Sequence, residues 1–206
     1  MKHKPFRQLI QWISGLNIFL RNKKPLQSKV VSALLYGLGL SSRKTKPFVE
    51  ASHVSVLEWY RRLSQAIGGI QPKHREAIAV DETKLKVNGN QVYVWVAMDV
   101  ETREILGVRV TLSRSSLEAY FFLSKVRKKC LNKPRLITDR GPWYNSWTCR
   151  MFKHEQQRFG ERNCIEQWFG LLKRRTRGFC NNINAKSIDS GIRRLEEWIG
   201  SFCGDI

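Results

Sequence analysis

The chain has 206 residues with 37 Lys and Arg against 17 Asp and Glu, a net charge of +20 on an otherwise ordinary globular composition. Such a length allows one sizeable core plus a small appendage, and the charge points first to nucleic acid and second to an anionic membrane surface. Five widely spaced cysteines without a CxxC pair argue against a zinc ribbon or a disulfide framework, and the longest apolar stretch, Val30 to Leu40, is too short to cross a bilayer.

The charge is uneven. Residues 1–75 carry 14 basic and 2 acidic side chains, whereas residues 76–206 carry 23 and 15. A front end that grips DNA and a second part that uses its acids is the organisation this suggests. The start Met-Lys-His-Lys-Pro lacks the apolar run and cleavage site of a secretory signal, so the expected location is the cytoplasm, with the nucleoid.

Residues 5–21 and 27–39 read as helices, separated by a basic break at Asn22 to Pro25. Ser41 or Ser42 caps a third helix reaching about Glu50, and Ser52 caps a fourth, His53 to Ile67. Two short helices joined by a tight turn form a helix-turn-helix pattern within about 27–67. Its second helix would face base edges with Ser52, His53, Ser55 and Glu58, while Lys44, Lys46, Arg61 and Arg62 would meet phosphates. A generic helical bundle with a basic surface is the alternative. Pro47 is tolerated if it falls in a first turn.

Gly68 to Pro72 is a linker, after which alternation replaces helical spacing. Strands are expected at Glu76–Thr83, Gln91–Asp99 and Arg103–Thr111, the first two joined by the hairpin signal Asn88-Gly89. A helix follows at Ser115–Cys130, a strand at Arg135–Thr138, a turn at Gly141-Pro142, a helix at Tyr144–Phe152 and a short strand at His154–Arg158. Gly160 to Phe179 reads as one amphipathic helix: Ile165, Trp168, Phe169 and Leu172 make the apolar stripe, Glu166 lies at its edge, and Lys173, Arg174, Arg175 and Arg177 crowd its end. A last helix, Ser187 to Phe202, is an interface element or a core element. The implied domains are 1–70, 71–185 and 186–206. The element order matches an α/β class, a ribonuclease-H-like mixed sheet with flanking helices preceded by a small all-α helix-turn-helix domain, although order alone leaves several α/β folds open.

Three carboxylates narrow the chemistry. Asp81 ends the first strand after Ala-Ile-Ala-Val, Asp139 ends the fourth strand, and Glu166 lies on a helix able to cross that edge. Packed together, three carboxylates repel and take up protons, and a divalent cation removes the repulsion. Hard oxygen donors suit Mg²⁺ or Mn²⁺, and two such ions about 3.5–4 Å apart can drive an in-line displacement at phosphorus. Asp99 reads as a turn former, His154 as structural, Glu161 and Arg162 as the start of the Glu166 helix, and Trp143 and Trp168 as core residues rather than base-stacking ones.

The runs Val80-Asp81-Glu82-Thr83-Lys84, Asn88-Gly89 before Val92-Tyr93-Val94-Trp95, Ile137-Thr138-Asp139-Arg140-Gly141-Pro142-Trp143-Tyr144, and Gly160 to Glu166 with Leu172-Lys173-Arg174-Arg175 resemble a short prokaryotic insertion-sequence transposase. The group is the insertion-sequence-six family, with an integrase-like DDE core, and the resemblance covers roughly residues 26–185. It implies Asp81, Asp139 and Glu166 as catalytic and metal-binding residues with two Mg²⁺ or Mn²⁺ ions, and Lys173 as a residue holding DNA near them. It also implies binding to double-stranded terminal inverted repeats and target DNA, 3′-end cleavage, strand transfer and cointegrate formation, by a homo-oligomer. Two features depart from the family pattern: Arg140 stands where a small residue is expected, and Asp139 and Glu166 are only 27 positions apart. A catalytically inactive DNA-binding copy and a ribonuclease-H-like nuclease are the competing readings.

Overall fold

Among the described residues of a computed structural model (4–19, 23–67, 70–177 and 182–200), the chain divides into two units, Met1–Gly69 and Ile70–Ile206. The first contains helices α1 (Lys4–Gly15), α2 (Leu26–Gly37), α3 (Ser42–Val49) and α4 (His53–Ile67). Helix α1 stops well short of residue 21. Leu16 and Asn17 donate to the carbonyls of Ile13 and Ser14, and Asn17 takes a left-handed φ of 50°, a common way for a helix to close. Residues 20–22 of that expected helix lie outside the described residues.

Val30 and Ala33 of α2 and Val56 and Leu63 of α4 are buried, and the Tyr36 ring meets that of Tyr60 edge-on at 4.8 Å. Ser41 caps α3 by accepting from the Lys44 amide at 3.2 Å. Pro47 falls in the second turn of α3, not the first, so the helix forgoes the bond to the Arg43 carbonyl. Glu50 then turns left-handed at φ 46°, Ala51 is buried, and Ser52 accepts from the Ser55 amide at 3.1 Å to start α4. The two helices are thus joined by a three-residue turn.

The second unit is built on a six-stranded mixed sheet. Its strands are β1 (Ala77–Val87), β2 (Asn90–Asp99), β3 (Ile105–Thr111), β4 (Arg135–Thr138), β5 (Lys153–Gln156) and β6 (Asn182–Ile183). The order is β3-β2-β1-β4-β5, with the first three antiparallel and β4 and β5 parallel to β1, which is the ribonuclease-H-like arrangement. Helices α5 (Ser116–Arg127), α6 (Ser146–Cys149), α7 (Asn163–Thr176) and α8 (Ile188–Gly200) flank it. The hairpin between β1 and β2 has positive φ at both Asn88 (50°) and Gly89 (78°), as a primed two-residue turn requires.

Strand β1 outruns its expected end at Thr83. Lys84-Leu85-Lys86-Val87 continues the alternation, exposing both lysines and burying Leu85 and Val87. Asp81 is therefore the fifth of eleven residues and not a strand end. Its position is special for another reason. β2 pairs with one edge of β1 throughout, while on the other edge β4 pairs only with Ala77–Ala79 and β6 only with Lys86 and Val87. Asp81 lies in the gap between them.

The faces of β1 differ. Ile78 and Val80 join Trp95, Phe122, Leu123 and Val126 in a core against α5. The odd-numbered side chains face α7 and α8, where Ile165, Trp168, Phe169 and Leu172 are buried as the stripe predicts, along with Leu195, Trp198 and Ile199. A Cβ on Gly191 would lie 2.3 Å from Val87, so α8 rests directly on β1, and Glu196 accepts from the exposed edge of β3 at the Val110 amide, 2.7 Å away. Helix α6 is far shorter than the expected Tyr144–Phe152. Tyr144 belongs to the preceding turn, donating from its amide to the Gly141 carbonyl, and Asn145 caps the single turn that follows.

Asp99 does form a turn. Its Oδ1 accepts from the Glu101 and Thr102 amides at 3.0 Å each, and its Oδ2 lies 2.6 Å from the fully buried Arg75 guanidinium. Burial alone would raise its pKa, but these bonds outweigh burial and hold it below the usual carboxylate range. Cys130, Cys149 and Cys164 are buried free thiols, and Cys180 and Cys203 lie outside the described residues.

Candidate active site

Asp81, Asp139 and Glu166 come from three elements and are drawn to one group. The β1–β4 register pairs Ala79 with Ile137, so two residues further along Asp81 stands level with Asp139. Glu166, in the first turn of α7, reaches the same place from the covering helix. Between them sits the Arg162 guanidinium. It lies 3.3 Å from Asp81 Oδ2 and 4.0 Å from Asp139 Oδ2, and it donates to Glu166 Oε1. The Arg162 side chain is only 12% exposed, and its Nε is buried with no hydrogen-bond partner.

Helix α7 begins at Asn163 with Arg162 as its N-cap residue in helical φ and ψ, so Arg162 opens the helix as expected while Glu161 precedes it. Glu161 instead pairs with Arg135 of β4 at 2.9 Å, which ties the approach to α7 onto the sheet. The i, i+4 spacing of Arg162 and Glu166 was visible in the sequence. The approach of two distant aspartates to the same guanidinium was not.

Each carboxylate is fixed differently. Asp139 Oδ1 accepts from the Gly141 amide at 2.8 Å, and Gly141 has no room for a side chain because a Cβ there would lie 2.5 Å from the Trp143 ring. Asp81 accepts from the Glu82 amide at 2.9 Å. Burial pushes the Asp81 carboxyl up to about 7, with Arg162 opposing the rise and the neighbouring Glu82 and Asp139 adding to it. Glu166 is half exposed and is held by Arg162.

Behind the triad lies a second polar group that the sequence reading passed over. Glu82, on the opposite face of β1, is buried and accepts from the Tyr144 hydroxyl at 2.9 Å and from Arg114 at 3.1 Å. Burial raises its pKa against the pull of those two bonds, and Tyr144 is itself pushed well above its ordinary value by burial and by Glu82. Arg114 in turn stacks on Trp143 at 4.3 Å and on Tyr93 at 4.9 Å. His154 has a structural setting: its Nε2 is 2.8 Å from the Thr138 hydroxyl, and burial lowers its pKa. Trp168 is buried as a core residue, and Trp143 is half-buried beneath Arg114.

The donor set is all carboxylate oxygen, which suits a hard divalent cation, and a positive charge already lies among the three acids. The residue types therefore fit Mg²⁺ or Mn²⁺. The spacing is set by a guanidinium: among the described residues no three His, Cys, Asp or Glu side chains close on a single metal-sized point.

The basic residues named from the sequence fall in two places. Lys173, Arg174 and Arg177 are exposed along and just beyond the C-terminal half of α7, and the Arg175 side chain lies outside the described residues. In the first unit Lys44 and Lys46 are exposed on α3, and His53 and Arg61 on α4. Ser52 and Ser55 share a hydroxyl contact at 2.9 Å within the α4 cap, and Arg62 pairs with Glu58 at 2.8 Å while donating to the Ile18 carbonyl at 3.3 Å. Among the described residues no helix is long and apolar enough to cross a membrane.

Known proteins resemble this chain in sequence and in fold. Over 192 residues it is 40% identical to an uncharacterized protein of Methanocaldococcus jannaschii, covering 90% of this chain and 87% of that one. It is 26% identical over 121 residues to the transposase for insertion sequence element IS257 in transposon Tn4003 of Staphylococcus aureus, a match spanning 57% of this chain and 50% of that transposase. Its fold overlaps the HTLV-2 integrase catalytic core domain in complex with magnesium at a TM-score of 0.45 and 20% identity, covering 63% of this chain and 87% of that one. A family model described as a DDE domain (DDE_Tnp_IS240) matches residues 75–198, from the buried Arg75 before β1 to Trp198 in α8, and so takes in all three carboxylates. That match spans more than half of the sequence, and the chain belongs to the DDE-domain family of insertion-sequence transposases.

Proposed function

We propose that this protein binds the terminal inverted repeats of an insertion sequence and catalyses metal-dependent 3′-end cleavage and strand transfer, giving cointegrates. The observation that carries the reading is the convergence of Asp81, Asp139 and Glu166 from two adjacent strands and a covering helix onto a single cationic group. Asp81, Asp139 and Glu166 are the residues that would hold two Mg²⁺ or Mn²⁺ ions, which when bound would supply activation of a water or a 3′-hydroxyl and stabilisation of the leaving oxygen.

The remaining work falls to the chain itself. The sheet fixes Asp81 on a strand paired along one edge, and the Gly141 amide fixes the direction of Asp139. Lys173, Arg174, Arg175 and Arg177 place a row of cations after Glu166, where a phosphate backbone entering the site is held. In the first unit, α3 and α4 form the helix-turn-helix. Lys44, Lys46 and Arg61 supply phosphate contacts, and Arg62 does so in exchange for its ion pair with Glu58. Ser52, His53 and Ser55 stand at the first turn that meets base edges, with the serine hydroxyls shared between the cap and the DNA. Joining two DNA ends calls for more than one copy, so the working form is a homo-oligomer, acting in the cytoplasm on the nucleoid.

The test is strand transfer. The purified protein is incubated with double-stranded DNA carrying the repeats that flank its gene, with Mg²⁺ or Mn²⁺, beside Asp139→Asn. Joined products from the wild type and none from the variant are expected. Joining that survives in Asp139→Asn refutes the triad, and end binding without joining by the wild type under both metals favours a non-catalytic DNA-binding protein. Cleavage of RNA–DNA hybrids in place of repeat ends favours a ribonuclease-H-like nuclease.

A further inference from the structure

We infer that Arg162 is an internal counter-cation of the carboxylate triad, one that a divalent ion must displace, so that this residue sets the metal concentration at which the site loads. The inference rests on the reading of Asp81, Asp139 and Glu166 as the metal-holding residues. It is carried by where the guanidinium lies. An arginine four residues before a glutamate at a helix start ordinarily makes a solvent-facing pair on the helix surface. Here the Glu166 partner is 46% exposed but the Arg162 side chain is only 12% exposed, because it turns off the helix into the space between β1 and the end of β4. There one terminal nitrogen faces Asp81 and Asp139 and the other faces Glu166.

The acids thereby share one positive charge, which relieves the mutual repulsion that three clustered carboxylates would otherwise suffer. The same oxygens are the ones a divalent ion would use. A guanidinium and an ion of charge +2 cannot occupy that space together, since each would repel the other and compete for the same lone pairs. Binding of the ion therefore includes the cost of breaking the Arg162 contacts, and the two cations are linked as competing ligands. The buried Nε without a hydrogen-bond partner adds to the case: the side chain is placed by its terminal nitrogens, and moving it outward gives up no bond at Nε. Arg162 is a positioning residue on this account, acting through the carboxylates.

The experiment measures Mn²⁺ binding by the full chain without DNA, using calorimetry or the free-Mn²⁺ resonance signal, together with thermal unfolding in chelator and in Mn²⁺. Arg162→Gln keeps the length and removes the charge. It should bind Mn²⁺ about tenfold more tightly than the wild type. It should also unfold at lower temperature in chelator and gain more from added Mn²⁺. Equal or weaker Mn²⁺ binding overturns the inference, even if the chelator-treated variant is less stable, because Arg162 would then only organise the acids. Asp139→Asn separates the two levels of the argument. Loss of Mn²⁺ binding there, with Arg162→Gln no tighter than the wild type, removes the counter-cation role alone, whereas Mn²⁺ binding unchanged in Asp139→Asn removes the triad itself. If Arg162→Gln does not fold, Arg162→Lys decides: a point charge that cannot span all three carboxylates should tighten Mn²⁺ binding several-fold, and unchanged binding overturns the inference.

Discussion

Replacing Gly141 by Ala tests the support of Asp139 without touching a carboxylate. An added Cβ would lie 2.5 Å from Cε2 and 2.6 Å from Cζ2 of Trp143, well inside any real carbon contact. The backbone cannot easily yield, because the Gly141 amide donates to Asp139 Oδ1 at 2.8 Å and its carbonyl accepts from the Tyr144 amide at 3.0 Å. The indole cannot easily yield either. It lies beneath Arg114 at 4.3 Å and meets the buried Tyr144 ring edge-on at 6.2 Å. Because φ at Gly141 is not positive, the penalty is one of overpacking, about 1–3 kcal/mol, which for a chain of this size lowers Tm by about 3–10 °C. Thermal unfolding of the wild type, Gly141→Ala, Trp143→Ala and the double variant closes a cycle. The penalty of Gly141→Ala should vanish in the Trp143→Ala background, where the ring it meets is gone, leaving a coupling of about 1–3 kcal/mol. Additive effects, or a Gly141→Ala protein as stable as the wild type, would refute the steric account of this turn and with it the locking of Asp139.

The remaining predictions concern charge. Burial pushes the Asp81 carboxyl up to about 7 against the pull of Arg162, so its contribution to stability is greatest at low pH and is withdrawn as pH rises from its unfolded value of 3.8 through about 7. In chelator, the wild type should lose up to about 4 kcal/mol more than Asp81→Asn between pH 4 and pH 8 in denaturant unfolding; superimposed profiles would refute the shift. Lys173→Ala and Arg174→Ala alter exposed positions, so stability should stay within about 0.5 kcal/mol. Binding to repeat DNA should weaken for each, and the slope of log affinity against log salt should fall by about one. An unchanged slope would show that these cations do not touch phosphate.

Elements governed by local stereochemistry were legible before any coordinates. Asn88-Gly89 can hold two positive φ angles in succession, so it announced the hairpin, and Ser52 followed by an apolar 3.6-residue period placed α4 at His53–Ile67. The stripe of Ile165, Trp168, Phe169 and Leu172 marked the buried side of α7 for the same reason. Asp81 and Asp139 were legible as candidates because acids that close apolar strand runs are conspicuous, and Glu166 because it borders the apolar stripe of an amphipathic helix. Misreadings arose where nonlocal partners decide. Tyr144 has the makings of a helix residue, but its ring is taken into the α5 core and its hydroxyl to Glu82, which leaves α6 one turn long.

Most of the elements, their order and the acids they carry follow from local sequence, since helical and strand periodicities and turn stereochemistry act over a few residues; the two-residue strand β6 carries no such local signal. Other features depend on contacts between distant parts of the chain. Whether β4 and β6 leave a gap beside Asp81 depends on two strands more than 40 residues away from it pairing with the same edge. Whether Arg162 pairs on the helix surface or lies among three acids depends on Arg135 anchoring Glu161 and on the register that sets Asp81 level with Asp139. Electrostatic energy falls with distance through space and is blind to distance along the chain, so the charge at the centre of the site becomes apparent only when the sheet has formed.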